Sequence, residues 1–78
     1  MIISKVQAKE KFLLHITAED QQEGLFDVSP YLNSEAFAPL REDDNFQQVK
    51  NGGYFIEWEC GADLSADTIE ARWEKITS

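Results

Sequence analysis

Gly24-Leu25-Phe26-Asp27-Val28-Ser29-Pro30-Tyr31-Leu32 is the stretch on which the reading of this chain turns. Phe26 and Val28 alternate with Leu25 and Asp27, so an extended backbone places an apolar set on one face and a mixed set on the other. Pro30 has no N–H to give to a ladder, and the strand is expected to stop near Ser29. Ser-Pro initiates turns, and the Ser29 hydroxyl is expected to hydrogen-bond backbone N–H groups just beyond it. Tyr31 and Leu32 then fold back as an apolar plug. On this reading Asp27 and Ser29 are a polar strand face and a turn cap, not catalytic groups.

Upstream, the pattern is β throughout. Ile2 to Ala8 reads as a first strand with Ile2, Ser4, Val6 and Ala8 on one face, and Lys9-Glu10 as a turn. Lys11 to Thr17 reads as a second strand, with Phe12, Leu14 and Ile16 opposite Leu13, His15 and Thr17. A polar loop from Ala18 to Glu23 leads into the third. Short connections favour an antiparallel meander.

Downstream, the period changes. Asn33-Ser34 caps one helical turn at Glu35-Ala36-Phe37, which Pro39 prevents from extending. Asp43 to Val49 reads as a second short helix, with acids at its start and Phe46 and Val49 as its buried edge. Asn51-Gly52-Gly53 is a turn, and Tyr54 to Glu59 a fourth strand placed in the same sheet. Gly61 is the expected positive-φ position of the loop Cys60 to Leu64. Ser65 is the expected N-cap of a last helix, and Ile69, Trp73 and Ile76 fall on one face of it, against the sheet. The expectation is a single α+β domain over 1–78, with a small antiparallel sheet of about four strands, short helical turns and a C-terminal helix. The sequence does not order the strands.

The 78 residues carry a formal charge of −8, and nine aromatics argue for a folded core. Thirteen acids lie between Phe12 and Glu70, against only Arg41 and Lys50. Such a surface repels phosphate backbones, so nucleic acid is not an expected partner. It suits solubility or a basic partner protein. One cysteine, Cys60, allows no internal disulfide. No apolar run approaches membrane-span length and the first residues lack signal-peptide character, so a cytoplasmic protein without membrane contact is expected.

Little in the chain suggests catalysis. Glu42, Asp43 and Asp44 are adjacent but lack the alternating spacing of a calcium loop, and read as a solvated helix start. His15 and Cys60 are the only nucleophile–base candidates, with no third group marked by sequence. Gly52-Gly53 precedes a strand, not a helix, so it is no phosphate loop. No catalytic residue, metal or cofactor is expected. The expected function is a protein-interaction module, binding a basic protein or a second copy, with Glu42, Asp43, Asp44, Glu57 and Glu59 as the binding acids. An alternative is a small-ligand-binding domain using an aromatic pocket around Tyr31, Phe37 and Trp58.

Phe26-Asp27-Val28-Ser29-Pro30-Tyr31-Leu32, then Phe37-Ala38-Pro39-Leu40, Phe46 with Gln48-Val49, Trp58, and Gly61-Ala62-Asp63-Leu64 with Asp67 together resemble the bacterial domain of unknown function family 2442. The resemblance spans most of the chain. It departs at Ala66, where that family often has proline at the helix start, a change that leaves the helix intact. It implies a small α+β fold with an antiparallel sheet. It also implies a neighbouring small protein as partner, with this chain as the antitoxin-like half of the pair. It supplies no catalytic residues.

Overall fold

The structure, a computed structural model, describes residues 1–76; the last two positions of the domain expected over 1–78 lie outside the described residues. β1 (Ile3–Ala8), β2 (Leu13–Ala18) and β3 (Glu23–Asp27) form the expected antiparallel meander. Leu14, Ile16 and Ala18 of β2 and Phe26 of β3 point to one side and are buried there. β1 departs from simple alternation. Ile3 pairs with Ala18 but Lys5 with Thr17, so Ser4 is an extra residue in a β-bulge. The bulge, not the expected face of Ile2, Ser4, Val6 and Ala8, puts Ile3 beside Val6 and Ala8 on the core. The Ser4 hydroxyl donates to the Thr17 carbonyl there.

β2 starts two residues later than its periodicity suggests. Lys11 and Phe12 both have φ near +60° (60° and 61°), which bends the chain between β1 and β2. Phe12 keeps this costly backbone because its ring meets Phe46 edge-on at 5.4 Å and its carbonyl accepts from the Val28 N–H at 2.9 Å. At the end of β3, Ser29, Pro30 and Tyr31 make a 3-10 turn, as Pro30 requires. The Ser29 hydroxyl does not bond N–H groups beyond it. It donates backward to Asp27 Oδ1 at 2.7 Å, and the Ser29 N–H donates to the same oxygen at 2.9 Å. Asp27, not Ser29, is therefore the capping acceptor.

The middle of the chain covers the sheet. A 3-10 turn at Ala38–Arg41 buries Leu40, and α1 (Asp43–Phe46) buries Phe46. α1 is one turn, shorter than the helix expected to Val49. β4 (Lys50–Asn51), β5 (Phe55–Glu57) and β6 (Asp63–Ser65) then make a second antiparallel sheet of their own, in the order β4-β5-β6. The strand expected over Tyr54 to Glu59 thus does not join the first sheet. Asn51 ties the two sheets together: its side-chain amide donates to the Ile3 carbonyl and accepts from the Gly53 N–H, while the Ile3 N–H donates to the Gly53 carbonyl.

α2 (Ala66–Arg72) is capped by the Ser65 hydroxyl, which accepts from the Thr68 N–H as expected. Ala66 and Ile69 are buried by it. The helix does not continue to Ile76. Trp73 is extended (φ −75°, ψ 157°), and β7 (Glu74–Ile76) pairs with the open edge of β3, giving a four-stranded sheet in the order β1-β2-β3-β7. Ile76 is consequently 44% exposed. The fold class is α+β, as read from the sequence, but the fourth strand of the main sheet is a segment that looked helical. Gly24 permits this arrangement. A Cβ there would lie 2.5 Å from the Trp73 ring, so the indole can cover the strand only above a glycine.

Two hairpins share one turn geometry. Around Glu19-Asp20-Gln21, the Ala18 N–H donates to the Gln22 carbonyl and the Ala18 carbonyl accepts from the Gln21 N–H. Around Glu59-Cys60-Gly61, the Trp58 N–H likewise donates to the Ala62 carbonyl and the Trp58 carbonyl accepts from the Gly61 N–H. Each needs a left-handed residue at its third position, filled by Gly61 (φ 97°) in one and Gln21 (φ 72°) in the other. Gln21→Gly is expected to raise stability by about 0.5–1 kcal/mol, the left-handed strain relieved less the backbone entropy added. Gly61→Ala should lower it by about 1 kcal/mol. Urea unfolding at unchanged m-value measures both, and a destabilised Gln21→Gly would contradict the turn assignment. Gly24→Ala should cost about 1–3 kcal/mol by overpacking. Combining it with Trp73→Leu should recover part of that loss, a coupling that independent sites would not show.

Candidate functional site

β5 carries the most unusual surface. Ile56 is buried, and the next inward residue beyond the strand, Trp58, is buried with it. Phe55 and Glu57 therefore face outward, and Glu59 follows in the same alternation. Cross-strand register sets Glu57 opposite Lys50 of β4 on one side and opposite Asp63 of β6 on the other. Like charges directly opposite each other in a sheet are destabilising by roughly 0.2–1 kcal/mol. The one cation of the row, Lys50, reaches Glu59 at 3.5 Å. The face thus presents three carboxylates, Glu57, Glu59 and Asp63, around a single lysine. At its end Phe55 is 40% and Tyr54 69% exposed. Phe55 lies over the turn at Gly52, where a Cβ would come within 2.4 Å of its ring, so a side chain at Gly52 would displace the aromatic group.

Glu57 and Glu59, expected from sequence as binding acids, share this face. Glu42, Asp43 and Asp44 stand elsewhere, at the entry to α1. All three are exposed, and Asp43 Oδ1 accepts from the Gln47 side-chain amide at 3.4 Å within the same turn. The element carrying them is joined to β5 through the buried stack of Phe46 on Trp58, with ring centroids 6.1 Å apart. Asp63 and Phe55 complete the face but were not among the expected residues. The alternation of Tyr54 to Glu59 already aligned Phe55 with the two glutamates, whereas Asp63 read as loop until its strand pairing was known.

Other sequence candidates are not brought together. The His15 Nε2 lies 2.9 Å from Glu23 Oε1, diagonally across β2 and β3. Cys60 is exposed in the turn after Trp58 and borders a cleft of about 270 Å³ with Leu40, Asn45 and Gln48. Nothing links it to His15. Tyr31 packs on Phe37 at 5.5 Å and Phe37 on Trp58 at 6.1 Å, and none of the described clefts is lined by all three. Tyr31 instead borders a separate cleft of about 370 Å³ with Phe26, Asp27, Pro30 and Arg72. Among the described residues no three His, Cys, Asp or Glu side chains converge as a metal ion would require. No helix of the described residues is long and apolar enough to cross a membrane.

Comparison with known proteins agrees with the resemblance carried by the Phe26–Leu32 stretch, the Trp58 strand and the Gly61 turn. No curated protein and no solved structure matches the chain. A family model described as a protein of unknown function (DUF2442) matches residues 3–75, nearly the whole length and every strand and helix of the fold but the last residue of β7. On that match, the chain belongs to the DUF2442 family.

Proposed function

We propose that this chain is a non-enzymatic protein-interaction module that binds a basic protein through the outer face of its second sheet. One observation carries the reading: Glu57 and Asp63 are held directly opposite each other beside Glu59 and an exposed Phe55. That pairing costs stability when the chain is alone, and a cationic partner converts the cost into attraction. Arginine or lysine side chains would meet the carboxylates, and an arginine would also stack on Phe55 or Tyr54. The net charge of −8 favours encounter with such a partner at long range. Glu42, Asp43 and Asp44 add to that long-range field from α1. The resemblance to a family in which some free-standing members are proposed as antitoxin-like partners supports the same reading, with the basic protein as the other half of the pair.

The test compares the wild-type chain with the triple variant Glu57→Gln, Glu59→Gln, Asp63→Asn. Affinity capture from the native host at low salt should return a stoichiometric basic protein with the wild type only, and high salt should release it. A chain that emerges alone and monomeric, or a variant that captures the same partner equally well, would overturn the proposal. Free of partner, Asp63→Thr should be more stable than wild type by about 0.2–1 kcal/mol, because it removes a like-charge pair from the sheet. Urea unfolding of the two proteins side by side measures that difference.

A further inference from the structure

We propose that the cleft between the Pro30 turn and the C-terminal end of α2 binds a small aromatic carboxylate. In this arrangement Arg72 holds the carboxylate, while Tyr31 and Pro30 contact the ring. This site is separate from the acidic face and independent of it. Its floor is apolar, made by Phe26 with the tilted ring of Tyr31 at 5.7 Å and by the Pro30 pyrrolidine. Its volume of about 370 Å³ suits a ligand of one ring and a short acid tail, at the lower end of small-molecule sites, about 300–1,000 Å³.

The polar groups around that floor select the charge. Arg72 makes no ion pair or side-chain hydrogen bond among the described residues, although the chain is strongly acidic. Lys50, the cation of another cleft, is engaged by Glu59. The planar guanidinium matches a carboxylate with two parallel hydrogen bonds. Asp27, also at the rim, is occupied on Oδ1 by both the N–H and the hydroxyl of Ser29, so it is tied to the turn. Its charge opposes any anion at the rim and a dianion more strongly, so a single carboxylate facing Arg72 is the anionic ligand it least disfavours. No other described residue bonds the Tyr31 hydroxyl.

Arg72 also stands at the last residue of α2, where any cation is favoured by the helix dipole. The experiment separates the two roles. Backbone amide resonances are followed while phenylacetate, or its neutral analogue benzyl alcohol, is titrated into the wild type, Arg72→Lys and Arg72→Gln. Phenylacetate should give saturable shifts centred on residues 26–31 and 69–73, with benzyl alcohol weaker by about tenfold or more. Arg72→Lys keeps the dipole interaction and the fold but loses the fork, so its affinity should fall several-fold. Arg72→Gln should bind at least about tenfold more weakly than wild type. Absence of saturable shifts at the cleft overturns the proposal, as does equal affinity in Arg72→Gln with a spectrum that shows it folded.

Discussion

The indole of Trp58 is the point on which the two halves of the fold depend. Its Nε1–H donates to the Phe46 carbonyl at 3.0 Å, in the buried interior. That carbonyl belongs to the last turn of α1, where helix carbonyls have no partner within the helix. A four-residue helix has no stability of its own, and here its end is satisfied by a side chain from β5's hairpin. The same indole stacks on the Phe46 ring and meets Phe37 edge-on, and the rings of Phe37, Tyr31 and Phe26 continue the series to β3. Phe12 closes the other end against Phe46. Six rings thus run from the β1–β2 turn to the end of β3, each pair adding roughly 0.5–1.5 kcal/mol beyond burial.

That aromatic series explains how so short a chain tolerates backbone strain. Lys11, Phe12 and Gln21 are non-glycine residues with positive φ, each at a cost of roughly 1–2 kcal/mol. Phe12 is held there by Phe46 and by the bond from Val28. Elsewhere local bonds shape the chain at little cost: Asp27 closes the Pro30 turn, Asp20 accepts from the Gln22 N–H and side-chain amide, and Asn51 joins the sheets. Acidic and amide side chains therefore do structural work in the loops.

The acids of β5 and β6 are of another kind. Their positions follow from burying Ile56, Trp58 and Leu64, because strand alternation then sends Glu57 and Asp63 outward side by side. Packing forces the geometry, but it does not require the charge; threonine at either position would satisfy the same alternation. This is why the outer face, and not the exposed acids at the start of α1, is the better candidate for binding.

Most local features were legible in the residues themselves. The alternation of Leu14 and Ile16, the stop at Pro30, the positive φ of Gly61 and the Ser65 cap rest on preferences that act within a few residues. The α+β class and the meander follow from them. Other features depended on distant partners. Ile69, Trp73 and Ile76 have helical spacing, yet β3 offered an open edge and Gly24 a flat place for Trp73, so Glu74–Ile76 became a strand. The sheet that Tyr54–Glu59 joined, the bulge at Ser4 and the meeting of Asp63 with Glu57 were likewise decided by strand pairing. A backbone N–H has no local sign of which remote carbonyl will accept it, so that choice belongs to the tertiary structure alone.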